Sequence, residues 1–321
     1  VSNNAKNQLP PAIFLMGPTA SGKSHIALEI AKQFPVEIIS VDSAQVYRHM
    51  NIGTAKPDPE ALNSIPHHLI SIIDPTESYS AAQFREDALS IMQAISRRGN
   101  IPLLAGGTML YFQALLEGLS NLPPADNQLR QSIENEAQTL GWPTLHEKLR
   151  KLDPEIAQRI KQTDSQRIQR ALEVCLLTNQ PMSKLQATSR NSHLPYQINL
   201  LTLQPSDRSQ LHLRIADRFE AMLDQGLIDE VASILEQFPV TFDSPSMRCV
   251  GYRQACLYLN QRIALKDLHD MGIAATRQLA KRQLTWLRSI IRKHEVIEFD
   301  CLANDLANQV CVRLHSIKSL K

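Results

Sequence analysis

The sequence predicts an α/β protein with a doubly wound parallel sheet core and an all-helical insertion domain, and three observations predict it. Apolar, strand-like runs alternate with amphipathic runs from residue 12 to 118, the pattern of strands joined by crossover helices. The first strand and helix are joined by Gly17-Pro18-Thr19-Ala20-Ser21-Gly22-Lys23-Ser24, which fits the P-loop spacing G-x-x-x-x-G-K-[ST] in the strand, loop, helix setting that gives it meaning. Residues 119–195 then read as helices alone, before strand pattern returns at Tyr196. The expected organisation is a core of 1–118 and 196–321 with 119–195 inserted.

Ile13 to Met16 form the buried strand that feeds the loop, and Ile26, Ala27, Ile30 and Ala31 give the following helix its inner face. In such a loop, backbone N–H groups at a helix N-terminus face an anion, Lys23 adds a point charge, and the Ser24 hydroxyl can ligate Mg²⁺. The second strand, Glu37 to Val41, ends at Asp42-Ser43-Ala44-Gln45. Strand carboxyl ends are where open α/β sheets gather ligands, so Asp42 is expected beside the loop, to hold Mg²⁺ through water, cap a helix or act as a base. Thr54 or Lys56, in the polar loop Asn51 to Lys56, either approaches the anion or is solvated. His67 to Asp74 reads as a third strand; paired histidines suggest metal, but adjacent residues on a strand point to opposite faces, so at least one of them is read as structural. Ser80 with Gln83 is a capping box for a helix carrying Phe84, Ala88, Met92 and Ile95. Ile101 to Ala105 is a further strand, ending in Gly106-Gly107-Thr108, a turn that permits close approach of backbone to ligand.

In the insertion, Asp126 caps a helix with Leu129, Ile133, Ala137 and Leu140 inward, and Thr144 with Glu147 reads as the capping box of the next. The helix after Asp164 is expected to bury Ile168, Ala171, Leu172, Cys175 and Leu176 and carries Gln166, Arg167, Gln169 and Arg170 as a polar stripe, either solvated or a reader of phosphates and bases. After the strand 196–203, a helix from Asp207 holds Arg214 and Arg218 four residues apart, either both facing a diphosphate or paired with Asp217 and Glu220. Pro245 to Arg253 reads as a loop that mixes two arginines, a glycine and Tyr252, which suits phosphate contact and base stacking. No acid occurs between Asp270 and Glu295. There Arg277, Lys281, Arg288 and Arg292 fall within roughly 60° on a helix, with Leu279, Trp286 and Ile290 opposite. A basic amphipathic helix inside a folded chain favours nucleic acid over membrane.

Composition excludes other classes. Forty-three per cent hydrophobic residues in 321 support a sizeable core, and a formal net charge of +2 confines nucleic-acid binding to local patches. Five scattered cysteines, Cys175, Cys249, Cys256, Cys301 and Cys311, without a C-x-x-C pair, argue against disulfide frameworks and zinc. Val1 to Pro11 lacks a signal-peptide core, and no apolar run approaches 18 residues. A soluble, cytoplasmic chain with no membrane association is expected.

Taken together, the phosphate loop, Asp42 to Tyr47, Asn51 to Lys56, Gly106 to Tyr111, Met247 to Gln254 and Lys281-Arg282-Gln283-Leu284-Thr285-Trp286-Leu287-Arg288 span nearly the whole chain in order. This set resembles the bacterial tRNA dimethylallyltransferase (tRNA isopentenyltransferase) family. The zinc module of eukaryotic relatives is absent from the sequence, as the missing C-x-x-C shows. The resemblance implies transfer of a dimethylallyl group from dimethylallyl diphosphate to N6 of adenosine 37, beside the tRNA anticodon, with Mg²⁺ as cofactor and the protein working as a monomer. It implies diphosphate binding by Gly17, Pro18, Thr19, Ala20, Ser21, Gly22, Lys23, Ser24 and Arg218, with Asp42, Thr19, Lys23 and Arg218 acting on the reacting groups. By the same resemblance the anticodon stem-loop falls on Asp42, Ser43, Ala44, Gln45, Thr108 and Arg130, on Gln166, Arg167, Ile168, Gln169 and Arg170, on Arg248, Cys249, Val250, Gly251, Tyr252 and Arg253, and on Lys281 to Arg288. Three rival readings stay open on the residues alone: a small-molecule kinase with ATP in the loop, a non-catalytic P-loop RNA-binding protein, and an adenylate isopentenyltransferase using free AMP.

Overall fold

The computed structural model describes residues 9–187 and 194–320; the N-terminal stretch read as lacking a signal peptide falls largely outside these, as does the segment 188–193 near the end of the insertion. The chain divides into one unit of Val1–Ala114 with Leu194–Lys321 and a second of Leu115–His193.

The first unit is built on a six-stranded parallel sheet. Its elements are β1 (Pro11–Met16), α1 (Lys23–Ala31), β2 (Val36–Val41), α2 (Pro59–Ser64), β3 (His67–His68), α3 (Ala81–Arg97), β4 (Ile101–Gly106) and α4 (Met109–Leu116), whose last turn reaches the second unit. The second unit holds α5 (Asn127–Leu140), α6 (Trp142–Leu152), α7 (Pro154–Arg159), α8 (Ser165–Thr178) and α9 (Met182–Ala187). The first unit resumes with β5 (Gln197–Gln204), α10 (Arg208–Asp224), α11 (Leu227–Gln237), α12 (Tyr252–Leu259), α13 (Leu265–Lys293), β6 (Ile297–Asp300) and α14 (Leu306–His315).

The strand order is β3-β2-β4-β1-β5-β6, with every pairing parallel. A parallel sheet needs cover on both faces, and β1 is accordingly apolar throughout its buried length. Ile13 and Leu15 pack with Ile26 and Ile30 of α1 and Val310 and Leu314 of α14. Phe14 points the other way, its ring 5.7 Å from Phe112 of α4. On the same side Phe84 of α3 stacks on Tyr111 at 4.2 Å. The chain leaves β1 toward β2 and leaves β4 toward β5, so the winding reverses between these neighbours and opens a crevice at their carboxyl ends.

At the opposite end of the sheet, Glu37 accepts from Arg98 (2.9 and 2.7 Å) and Asn100 (2.9 Å) and meets His68 at 2.8 Å. The Arg98 hydrogen bonds lead the effects that hold its carboxyl down to about 2.

Two local expectations give way. The third strand, expected to run from His67 to Asp74, stops at His68, because the backbone turns left-handed at Leu69 (φ 60) and Ser71 (φ 55). Only an isolated bridge from Tyr47 to Ile73 continues that direction. Thr144 is not a cap: α6 starts at Trp142 behind Gly141, and the Thr144 hydroxyl donates back to the Leu140 carbonyl at 2.7 Å. The caps expected at Ser80 and Asp126 are in place, and the Asp164 side chain caps α8 in the same way.

Candidate active site

The phosphate loop opens from the carboxyl end of β1 into the crevice. Gly22, at φ 80, takes the left-handed turn that starts α1, and Ala20 is left-handed as well, at φ 62. These turns aim successive N–H groups into one concavity, and the first N–H groups of α1 have no helical acceptor. Lys23 folds over the loop, its ammonium donating to Pro18 O at 2.5 Å and to Ser21 Oγ at 3.3 Å. Burial, and then repulsion from Arg218, lower its pKa to about 8. Burial also lowers Arg218, against the attraction of Asp42.

A cavity of about 170 Å³ lies against this loop. Thr19, Lys23, Ser24, Asp42 and Arg218 form its polar wall, and Ile215, Phe219, Met222, Val250 and Leu279 its apolar one. Asp42 Oδ1 accepts from the Ala44 N–H at 2.9 Å, an Asx turn that fixes the carboxylate at the end of β2. Thr108 joins the same rim by accepting from the Ser43 N–H at 3.0 Å. A second cavity, of about 730 Å³, shares Lys23, Ser24 and Arg218 with the first and adds Lys56 and His25. The loop and its two cations thus stand between two chambers, each lined by both polar and apolar groups.

The polar loop 51–56 settles between its two readings. Thr54 turns its hydroxyl inward, to Met50 O at 2.7 Å, while Lys56 lines the wider cavity. Burial pushes Lys56 down to about 8. The loop is fixed by Glu230 of α11, whose carboxylate accepts from the N–H groups of Asn51 (2.9 Å), Ile52 (2.9 Å) and Gly53 (3.4 Å) and from the Tyr252 hydroxyl (2.5 Å). Nothing local in the sequence marks Glu230, since the backbone N–H groups it holds lie 177 to 179 residues earlier.

Several expected site residues are placed otherwise. Arg214 does not accompany Arg218: it donates to Cys301 O at 2.9 Å, while Arg218 alone of the pair lines the cavities. Tyr252, expected to stack on a base, is fully buried and committed to Glu230, so its ring holds the loop in place. Ile168, Leu284 and Leu287 are also core residues, which leaves their side chains no surface to offer RNA. Trp286, expected on the apolar side of its helix, is 37% exposed beside Lys281, Arg282 and Thr285, because the buried stripe of α13 runs through Ala280, Leu284, Leu287 and Ile290. Arg248 and Arg253 are exposed, the latter with its guanidinium 4.8 Å from the Phe242 ring centre. Cys249 and Val250 line the smaller cavity.

In the second unit, Arg130 and Arg170 share one partner. The fully buried Glu173 accepts from Arg130 (2.9 and 3.2 Å), Arg170 (2.6 Å) and the Asp126 N–H (2.8 Å). Gln169 donates to Arg130 O at 3.2 Å, and only Gln166 and Arg167 of that stripe are exposed. Among the described residues no helix is long and apolar enough to cross a membrane, and no cluster of three His, Cys, Asp or Glu is placed to hold a metal by itself.

Comparison with known proteins agrees with this geometry. The model of the IPP transferase family matches residues 45–290, and that of the isopentenyl transferases matches 11–74. The tRNA dimethylallyltransferase of Nitrosomonas eutropha is 58% identical over 96% of both chains. That of Nitrosomonas europaea is 60% identical over 94% of both. Among solved structures, the full-length tRNA isopentenylpyrophosphate transferase of Bacillus halodurans superposes with a TM-score of 0.69 at 34% identity, over 97% of this chain and 96% of that one. A eukaryotic dimethylallyltransferase acting on tRNA superposes with a TM-score of 0.78 at 26% identity, over 96% of this chain and 79% of that one.

Proposed function

The chain belongs to the IPP transferase family, and from that premise we propose that it transfers a dimethylallyl group from dimethylallyl diphosphate to N6 of adenosine 37 in tRNA, giving N6-isopentenyladenosine and pyrophosphate. The observation that carries this reading is a single chamber in which a carboxylate, Asp42, and a phosphate loop face an apolar wall. A kinase acting on a hydroxyl has no use for that wall; a five-carbon isoprenyl chain does.

In the reaction the allylic C–O bond breaks, its electron pair stays on the departing pyrophosphate, and the adenine amine forms the new C–N bond and gives up one proton. Charge therefore grows on the leaving group, where Lys23, the loop N–H groups and Arg218 are already oriented. Loss of one such preorganised donor typically costs about 10²–10³ in rate. The Thr19 hydroxyl donates to the bridging oxygen. Asp42, held by Ala44, accepts a hydrogen bond from the amine, aims it at the allylic carbon and takes its proton. An exocyclic amine conjugated with its ring is a weak nucleophile, so orientation matters more than base strength. Ile215, Phe219, Met222 and Leu279 hold the isoprenyl chain and keep water from competing for it.

Mg²⁺ fits the residues present. It prefers oxygen ligands, retains water and takes few protein groups beside phosphate, and the Ser24 hydroxyl on the wall of the chamber is such a sparse protein contribution. Bound there, it would neutralise diphosphate charge. The acceptor base must leave the stacked anticodon loop to reach the chamber, and exposed Lys281, Arg282, Arg248 and Arg253 supply contacts for the stem-loop backbone.

The test is mass spectrometry of nucleosides from unmodified tRNA incubated with the protein, dimethylallyl diphosphate and Mg²⁺. Isopentenyladenosine is expected with the native chain, and at least a hundredfold less with Asp42→Ala, whose tRNA affinity should stay within a few-fold. Full activity of that variant would remove Asp42 from the mechanism. Product from AMP alone would reassign the acceptor.

A further inference from the structure

Helix α13 carries the exposed basic residues Lys281, Arg282 and Arg288, yet one residue in their midst turns the other way. Thr276, Leu279 and Gln283, spaced three and four apart and so on one helix face, all line the smaller cavity. The Gln283 amide is bound at both ends. Its Oε1 accepts from the Thr19 N–H at 2.8 Å, and its Nε2 donates to the Gly107 carbonyl at 2.9 Å.

Thr19 belongs to the loop after β1 and Gly107 to the turn after β4, the two strands between which the sheet winding reverses. These loops flank the ligand crevice: β1 and β4 pair as far as Met16 and Gly106, and beyond that pairing the primary amide of Gln283 ties Gly107 to the phosphate loop at Thr19. Gly107 is shaped to this contact. A Cβ built there would lie 2.4 Å from Gln283 Nε2, so any larger residue displaces the amide.

From this we propose that Gln283 is a positioning residue of the diphosphate cradle rather than an RNA contact: it clamps the phosphate loop at Thr19 to the Gly106-Gly107-Thr108 turn and makes the RNA-facing helix the third member of that clamp. The proposal deepens the reading of the chain as a dimethylallyltransferase and rests on it for the role of Thr19. The clamp consumes the Thr19 N–H, so that amide orients Thr19 instead of binding phosphate. Its hydroxyl is thereby set where the bridging oxygen must lie. A side chain long enough to span the gap, with one acceptor and one donor on a planar end, is needed; glutamine has both, and glutamate lacks the donor.

The experiment measures binding of inorganic pyrophosphate with Mg²⁺ and of an anticodon stem-loop RNA, each by titration calorimetry, for the native protein, Gln283→Met, Gln283→Glu and Gly107→Ala. Gln283→Met keeps the volume and removes both hydrogen bonds, and Gly107→Ala pushes the amide aside without touching Gln283 itself. Both should weaken pyrophosphate binding by about tenfold, the worth of one or two hydrogen bonds, with RNA affinity within twofold. Glutamate should weaken it further, through charge. Because Gly107→Ala and Gln283→Met break the same contact, the double variant should be no weaker than either alone. In turnover, KM for dimethylallyl diphosphate should rise and kcat fall while KM for tRNA holds. Lys281→Ala should show the reverse, losing RNA and keeping pyrophosphate. Unchanged pyrophosphate affinity in Gln283→Met, whatever happens to RNA, overturns the proposal. Pyrophosphate binding does not require prenyl transfer, so a native protein that binds the anion but modifies no tRNA would fail the functional reading while leaving the clamp testable.

Discussion

Lys23 shows how a single side chain sets a working pH range. Burial and the nearby Arg218 hold its ammonium down to about 8, and the loop carbonyl of Pro18 is its resting partner. A diphosphate arriving beside it adds negative charge, which favours the protonated form and raises the pKa again. Two consequences have definite signs. Affinity for pyrophosphate should fall as pH rises through about 8, because the free protein loses the charge it would use. Binding measured near pH 8 should take up a fraction of a proton. Calorimetry in two buffers of different ionisation enthalpy reads that uptake directly, and binding without proton uptake would mean the lysine is already fully charged in the free protein. The same shift affects folding in the opposite sense from a salt-bridged lysine: the unfolded chain binds the proton more tightly, so this residue's penalty on stability is present below about 8 and is relieved as pH rises from there toward 10.5.

At the scale of elements, the loop between β2 and α2 owes its shape to a helix from the other end of the unit. Three consecutive N–H groups, of Asn51, Ile52 and Gly53, converge on Glu230 of α11, and the buried Tyr252 hydroxyl completes its shell. Burial, then the neighbouring carboxylate, push the Tyr252 hydroxyl upward, so it remains a donor at all ordinary pH. Glu230→Ala leaves these donors without an acceptor and should cost about 1–3 kcal/mol, read as a lower urea midpoint at unchanged slope. The variant should also lose dimethylallyl diphosphate affinity, because Gly53, Thr54 and Ala55 line the smaller cavity. Stability equal to the native protein would make the cluster dispensable. This arrangement also marks what was legible in the sequence. The phosphate loop, Asp42 and the caps at Ser80 and Asp126 are local patterns, and the structure places them where spacing puts them. Glu230, Glu173 and Gln283 work through partners far away in the chain, and no periodicity announces them. Trp286 departs from its spacing for a related reason: helical periodicity puts this apolar residue inward, whereas the neighbours that α13 packs against decide which side is inward.

For the whole molecule, charge is the property that sequence composition describes least well. A net charge of +2 across 321 residues gives no global field to attract RNA. What attracts must be local, and the acid-free stretch between Asp270 and Glu295 supplies it, although not as the uniform stripe that helical spacing suggests. Arg277 is half-buried and leans toward the His212 carbonyl, and Arg288 folds along its own helix onto Leu284 O and Thr285. Lys281 is exposed and, among the described residues, has no ion-pair partner, so its charge is available to a phosphate. Each phosphate neutralised releases condensed counterions, and the affinity then depends on salt in proportion to the number of contacts. Replacing Lys281 by Ala should therefore weaken binding to an anticodon stem-loop and make the plot of log affinity against log salt shallower by about 0.7–0.9. A titration across a range of potassium chloride concentrations reads both. If affinity falls while the slope stays fixed, Lys281 contributes through the packing of α13 and not through its charge, and the RNA surface must be sought on the Arg248 to Arg253 side instead.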